Sequence, residues 1–258
     1  FTTSANNADI TLNNTNALTG TVALNTSGSG NALIDNGITA LNLATSTVGG
    51  NLTLTSGHAS GITDSGTVTV GGNLIATTDA ANGLINLGDL AVDGTVQLTT
   101  NGNGAATVVN DARLDFAAST VGGNLAATAT TGNMTDSGAL TITGTTTLTT
   151  SANNATIVLN TTTNAFTGAV ALNTTGSSGD ATIDNGTTAL ILAASSVGGN
   201  LNVRSGNSIT DSGTVTVGGN FSATTDANNG VINLGTLAVD GTVALTTNGS
   251  GNATVVND

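Results

Sequence analysis

The sequence predicts an all-β fold, a right-handed parallel β-helix (β-solenoid) in which one chain winds through stacked coils. Three observations predict it: the chain repeats itself, apolar residues alternate at period two within each repeat, and the composition opposes helix. Ser4-Ala5-Asn6-Asn7 recurs at Ser151-Ala152-Asn153-Asn154, and the run Leu90 to Val96 recurs as Leu237 to Val243. These matches define a super-repeat of about 147 residues, held once in 4–150 and in large part again in 151–258. Residues 1–258 therefore read as one continuous solenoid segment, excerpted from a longer repeat protein.

A finer period lies inside the block. The motif apolar-x-Gly-x-apolar places its glycine at Gly20, Gly50, Gly72, Gly94, Gly123, Gly144, Gly168, Gly199, Gly219 and Gly241. These are ten copies of a unit of about 22 residues, with every third spacing stretched to roughly 30. The expectation is ten coils, every third one longer and bulging into a ridge, in a rod of roughly 48 Å at the usual strand spacing.

Each element of a coil follows from local pattern. After the glycine, apolar pairs such as Leu52/Leu54, Val96/Leu98 and Val170/Leu172 flank Thr53, Gln97 and Ala171, which is the alternation of a half-buried strand. A second pair precedes the glycine, as Val68/Val70 or Leu140/Ile142. A third apolar patch follows later, at Leu33-Ile34, Leu84-Ile85, Val108-Val109 and Val255-Val256, so three short strands and three turns are expected per coil. The repeated glycine suits a bend where a Cβ would clash or where φ is positive. Phe116, Phe166 and Phe221 stand where other units have Leu or Val and are expected in the core. Proline is absent, as a chain that bonds on both sides of each strand requires. Parallel crossovers are right-handed in roughly 98% of cases.

Charge excludes several partners. All fifteen acidic residues are Asp, only Arg113 and Arg204 are basic, and the net charge is -13. Nucleic acid needs lysine and arginine against its phosphates, and anionic lipid surfaces need the same. No apolar run reaches the roughly 20 residues of a membrane helix. No cysteine is present, so disulfides and thiolate metal sites are excluded. No signal peptide precedes Phe1, and neither end carries a polar cap, so further coils are expected on both sides.

The Val-Gly-Gly-Asn-Leu cores, the Ile-Thr-Asp-Ser-Gly turns and the Leu-Asn-Thr strands resemble filamentous-haemagglutinin-type adhesins. These are large bacterial exoproteins, often exported by two-partner secretion. The resemblance runs over essentially the whole chain. It implies a secreted, extracellular or cell-surface rod that holds binding regions away from the cell. That family's secretion domain usually carries Asn-Pro motifs; with no proline, this chain corresponds to the shaft. No motif here transfers binding residues.

Candidate chemistry begins with an Asx column. Aligning the last turn of each unit gives Asp35, Asp64, Asn86, Asn110, Asp136, Asn160, Asp184, Asp211, Asn233 and Asn257. One reading is a ladder of turn-capping side chains stacked along the axis. The sharper reading is a cation site, with Asp35 beside Asp64 and Asp184 beside Asp211 on adjacent coils, where oxygen ligands suit Ca2+. His58 lies in Ser56-Gly57-His58-Ala59-Ser60, an insertion missing from the second block, and reads as a solvated loop residue rather than a triad member. Arg113 and Arg204 read as surface side chains, with pairing to Asp115 or a neighbouring Asp as the alternative. Sequons such as Asn51-Leu52-Thr53 follow from Asn/Thr richness.

The expected function is a structural or adhesive shaft with no catalytic residues and no cofactor, Ca2+ aside. Its expected partners are further coils, end-to-end or lateral copies of itself, and glycans or proteins of host or neighbouring cells. A pectate-lyase-like β-helix enzyme is the alternative, but it needs basic residues or a carboxylate cleft that breaks the repeat. Ice binding needs paired outward threonines; the column Thr55, Thr77, Thr99, Thr128, Thr149 has no matching neighbour.

Overall fold

The computed structural model describes all residues, Phe1–Asp258, and contains strands and no helix. Every strand pairing is parallel, and the strands form two sheets of fifteen and sixteen strands. The main path of the first sheet has twelve strands, from Ile10–Leu12 to Val243–Asn248. The protein is a parallel β-solenoid of about 12 coils of ~21 residues.

Twelve coils replace the expected ten for a simple reason. The post-glycine strands Leu52–Ser56, Leu74–Ala81 and Thr95–Asn101 stack in the first sheet. The next three, Leu125–Ala129, Thr146–Asn153 and Val170–Thr175, stack in the second. Leu201–Ser205, Phe221–Asn228 and Val243–Asn248 return to the first. The switch is made by a single additional strand in each third of the pattern: Ala32–Asp35, Ala106–Asn110 and Ala181–Asp184. Each subrepeat therefore holds seven half-coils, an odd number, and hands its motif to the opposite face. A glycine spacing near 30 residues is one and a half coils. No coil is longer than its neighbours by that amount, and the expected ridge does not exist. Twelve coils span about 58 Å at the usual spacing.

The cross-section is flatter than three separate strands per coil. Ile62–Asp64, expected as part of an Ile-Thr-Asp-Ser-Gly turn, is a strand and lies on one sheet with Val68–Val70. One coil later their partners are a single strand, Ile85–Val92.

The alternation does its work between the two sheets. In Leu52–Ser56 the residues at positions one, three and five are buried and the others are not. Register then puts interior side chains over one another: Leu52 faces Leu74, Leu74 faces Val96, and Val96 faces Phe116. Fifty-four buried side chains make one continuous core, and Phe116, Phe166 and Phe221 are inside it as expected. Where a strand breaks, a buried serine replaces the missing ladder bond. Ser46, Ser119 and Ser195 accept from the N–H of Leu24, Leu98 and Leu172 and donate to the carbonyls of Ala44, Ala117 and Ala193.

The threonine column also divides at the switch. Thr55, Thr77 and Thr99 continue onto Thr120 and Thr141 in the first sheet, while Thr128 and Thr149 pair in the second. Replacing Phe166, fully buried, with alanine leaves a void that the stacked coils cannot close from above or below. Phe166→Ala is expected to cost about 3–5 kcal/mol, read as a lowered urea midpoint.

Candidate functional site

The recurrent glycines form close-packed corners. Gly72 N–H donates to Gly50 C=O at 2.9 Å, and Gly94 N–H donates to Gly72 C=O at 3.0 Å. A Cβ on Gly72 would lie 2.4 Å from Asn51 Oδ1 and 2.8 Å from the Gly50 carbonyl carbon. None of the ten motif glycines has positive φ, so close approach, and not handedness, is what requires them. At Gly20 nothing lies within 4 Å of that position.

The neighbouring asparagine is the other half of the corner. Asn31 Oδ1 accepts from Asn51 N–H, Asn51 Oδ1 from Asn73 N–H, and Asn73 Oδ1 from Thr95 N–H, at 2.8 to 2.9 Å. Asp9 begins this column, and Asp180, Asn200 and Asn220 build its counterpart in the second block. The carbonyl oxygen of each amide occupies the space that the glycine above leaves open. Here is the real Asx ladder. Sequence reasoning missed it, although the Gly-Asn dipeptide recurs at 50–51, 72–73, 123–124, 199–200 and 219–220.

The expected Asx column does not stack. Asp35 and Asp184 lie in the first sheet, against Thr55 and Arg204; Asp64 and Asp211 lie in the second, against Leu43 and Leu192. The half-coil switch separates each expected carboxylate pair, so the geometric basis of the cation reading is gone. No three His, Cys, Asp or Glu side chains gather anywhere. The ten residues serve separate ends. Asp64, Asp136 and Asp211 clamp the next coil: Asp64 accepts from the N–H groups of Gly88 and Asp89, Asp136 from those of Asn160 and Thr161. Asp35 and Asp184 accept locally from Gly37 and Gly186 N–H. Asn110 and Asn257 bond both backbone groups of Val92 and Val239. Asn86 and Asn233 stand in strands facing threonine, and Asn160 is exposed just past the strand Ile157–Leu159.

Two further residues were one position away from that column. Buried Asn36 and Asn185 bond both backbone groups of Leu18 and Phe166 and two more carbonyls each, holding the corner of the inserted half-coil. Their sequence signal is the recurring Asp-Asn-Gly at 35–37 and 184–186. Asn7, Asn82, Asn154 and Asn229 adopt positive φ in exposed turns, a conformation asparagine tolerates, and each accepts a backbone N–H from the next coil.

His58 is exposed, and its Nδ1 accepts from Ser60 N–H within its own turn. Arg113 donates to Asp93 C=O at 2.6 Å and forms no ion pair with Asp115. Arg204 is paired, to Asp184 and Asp226. Burial pushes the Asp211 carboxyl up, but donors from Gly235 N–H, Thr236 Oγ1 and Thr236 N–H outweigh it, and the group sits below its ordinary 3.8.

The geometry gives two expectations. Gly72→Ala forces a methyl into backbone and is expected to cost about 1–3 kcal/mol in chemical denaturation, while Gly20→Ala is neutral. A carboxylate with a depressed pKa stabilises the fold above 3.8 and loses that contribution as pH falls through its lower folded value. Wild type should therefore melt above Asp211→Asn at pH 7, and the gap should close below pH 3.8.

No curated protein and no solved structure matches the chain. A family model described as repeats of unknown function (DUF5649) matches residues 29–81, 103–173 and 178–234. The three segments begin about one subrepeat apart, each just ahead of an inserted half-coil, so the family unit coincides with the seven-half-coil block. With most of its length matched in this way, the chain belongs to the DUF5649 repeat family.

Proposed function

We propose that this chain is an extracellular structural and adhesive shaft, part of a bacterial surface or secreted fibrous protein, and that it performs no catalysis. The observation that carries this reading is the single unbroken core of 54 side chains, wrapped by ladders in which interior coils bond to neighbours above and below. Such a column has no linker at which to bend and offers proteases few loops. Bending it would open ladder bonds along one whole face, which is costly, so it transmits position over its length. The charge of -13 favours solubility of the rod. Glycans or proteins of neighbouring cells would meet the outward Thr, Asn and Ser side chains of the two faces. Its resemblance to filamentous-haemagglutinin-type shafts points the same way.

Antibody labelling of intact producing cells, with protease shaving as the control, tests the location. Surface label lost on shaving is expected; label found only after lysis sinks the proposal. Pulling the chain end to end in a force microscope tests the mechanics. Stepwise loss of coils at high force is expected, and extension at the few piconewtons of a flexible chain would contradict it.

A further inference from the structure

The two copies of the long repeat differ at one hollow on the outside of the rod. In the second copy Arg204 stands between two carboxylates, its Nε 3.6 Å from Asp184 Oδ2 and 2.7 Å from Asp226 Oδ2. The matching residues of the first copy are Asp35, Thr55 and Asp79. The frame is the same in both: Asp35 faces Thr55 and Thr55 faces Thr77, as Asp184 faces Arg204 and Arg204 faces Thr224. Asp35 Oδ1 accepts from Gly37 N–H at 2.8 Å, as Asp184 Oδ1 does from Gly186 N–H at 2.9 Å. The two hollows are also alike in size, about 310 Å³ in the first copy and 290 Å³ in the second.

What differs is the occupant and one wall. Without the arginine, Asp35 is half-buried where Asp184 is buried, and neither its Oδ2 nor the Asp79 carboxylate meets a protein donor. The wall residue Thr187 is replaced by Ile38, which is 86% exposed, the most exposed large apolar side chain of the molecule. The second copy shows that carboxylates in this frame hold a guanidinium. The first offers the same carboxylates, unoccupied by any side chain of the protein, beside an apolar patch.

We propose that the hollow of Asp35, Asp79 and Ile38 binds an arginine side chain of a partner polypeptide, with an apolar neighbour of that arginine resting on Ile38. A guanidinium is planar and multiply donating, so it can serve two carboxylates at once. Two carboxylates fall well short of the six to eight oxygens that calcium takes. A second copy of this chain is poorly equipped to supply the group. It has no lysine, Arg204 is already paired, and Arg113, its one other basic side chain, donates to the backbone carbonyl of Asp93. Charge complementarity to a rod of charge -13 points to a basic polypeptide as the partner. This inference stands whether or not the rod is an extracellular shaft.

The test uses the full isotope-labelled chain, titrated at low salt and followed by amide shifts. The probes are acetyl-Arg-Leu-amide, acetyl-Arg-Ser-amide, blocked arginine alone and calcium chloride. Acetyl-Arg-Leu-amide is expected to shift Gly37, Ile38 and Gly57 and to leave Gly186 and Gly206 unmoved. Thr55→Arg, which keeps both carboxylates, should pair them as Arg204 pairs Asp184 and Asp226, and abolish the response. Arg204→Thr should free Asp184 and Asp226 and bring Gly186 and Gly206 into the response. Asp35→Asn with Asp79→Asn should weaken binding at least tenfold. Ile38→Thr should erase the preference for the Leu peptide over the Ser peptide and over blocked arginine. Shifts spread over the whole surface, or a response that survives Thr55→Arg, would overturn the proposal. So would calcium moving these amides more strongly than the arginine probes, which would make the hollow a metal site.

Discussion

Everything in this structure depends on how closely one coil can sit on the next at the Gly-Asn corner. The glycine must lack a Cβ because the amide oxygen of the coil below takes its place, 2.4 Å from where that carbon would be at Gly72 and Gly94. The asparagine in turn bonds the backbone N–H one coil up, beside the glycine it excludes from substitution. Neither residue is useful alone. Together they set the vertical distance and the register from which each post-glycine strand starts. A one-residue slip would turn every interior leucine and valine outward, so the corner protects the core it does not touch.

The second organising fact is an odd number. Seven strand-lengths per subrepeat return the chain to the opposite face, so both sheets receive the same motifs in alternation. Neither face becomes a uniform array. The threonine columns run for a few coils and then give way, and the acidic residues that share a motif are sent to different sides. The inserted strand needs its own corner, which buried Asn36 and Asn185 supply by satisfying backbone groups on two coils and across the turn. A buried amide with all its bonds made is a strong local determinant; one left unmade would cost about 1–3 kcal/mol.

Near-identity between copies makes their differences informative. Some changes between the long repeats exchange one interior apolar residue for another, as Leu54 and Val203 or Leu74 and Phe221 do, and the shared core absorbs them. The exchange of Thr55 for Arg204 alters a charge balance instead, leaving two carboxylates of one copy facing solvent. Ile38 in place of Thr187 adds apolar surface at the same spot. A scaffold so regular exposes such a site as a departure from its own pattern.

By itself the sequence determined that the protein is all-β, parallel, coiled and continuous, because period-two alternation and a glycine recurring near every 22 residues leave few other ways to bury Leu52, Val96 or Val170. It placed Phe116, Phe166 and Phe221 inside and His58 in a loop, since these depend on local pattern alone. What it left undetermined was face. Asp35 and Asp64 look like successive rungs in an alignment, and only the folded chain shows them on opposite sheets. Spacing counts residues along the chain, and an inserted half-coil of ten or so residues reads the same as a lengthened turn. Which it is depends on whether that segment finds ladder partners above and below, and those partners lie a whole coil away in sequence.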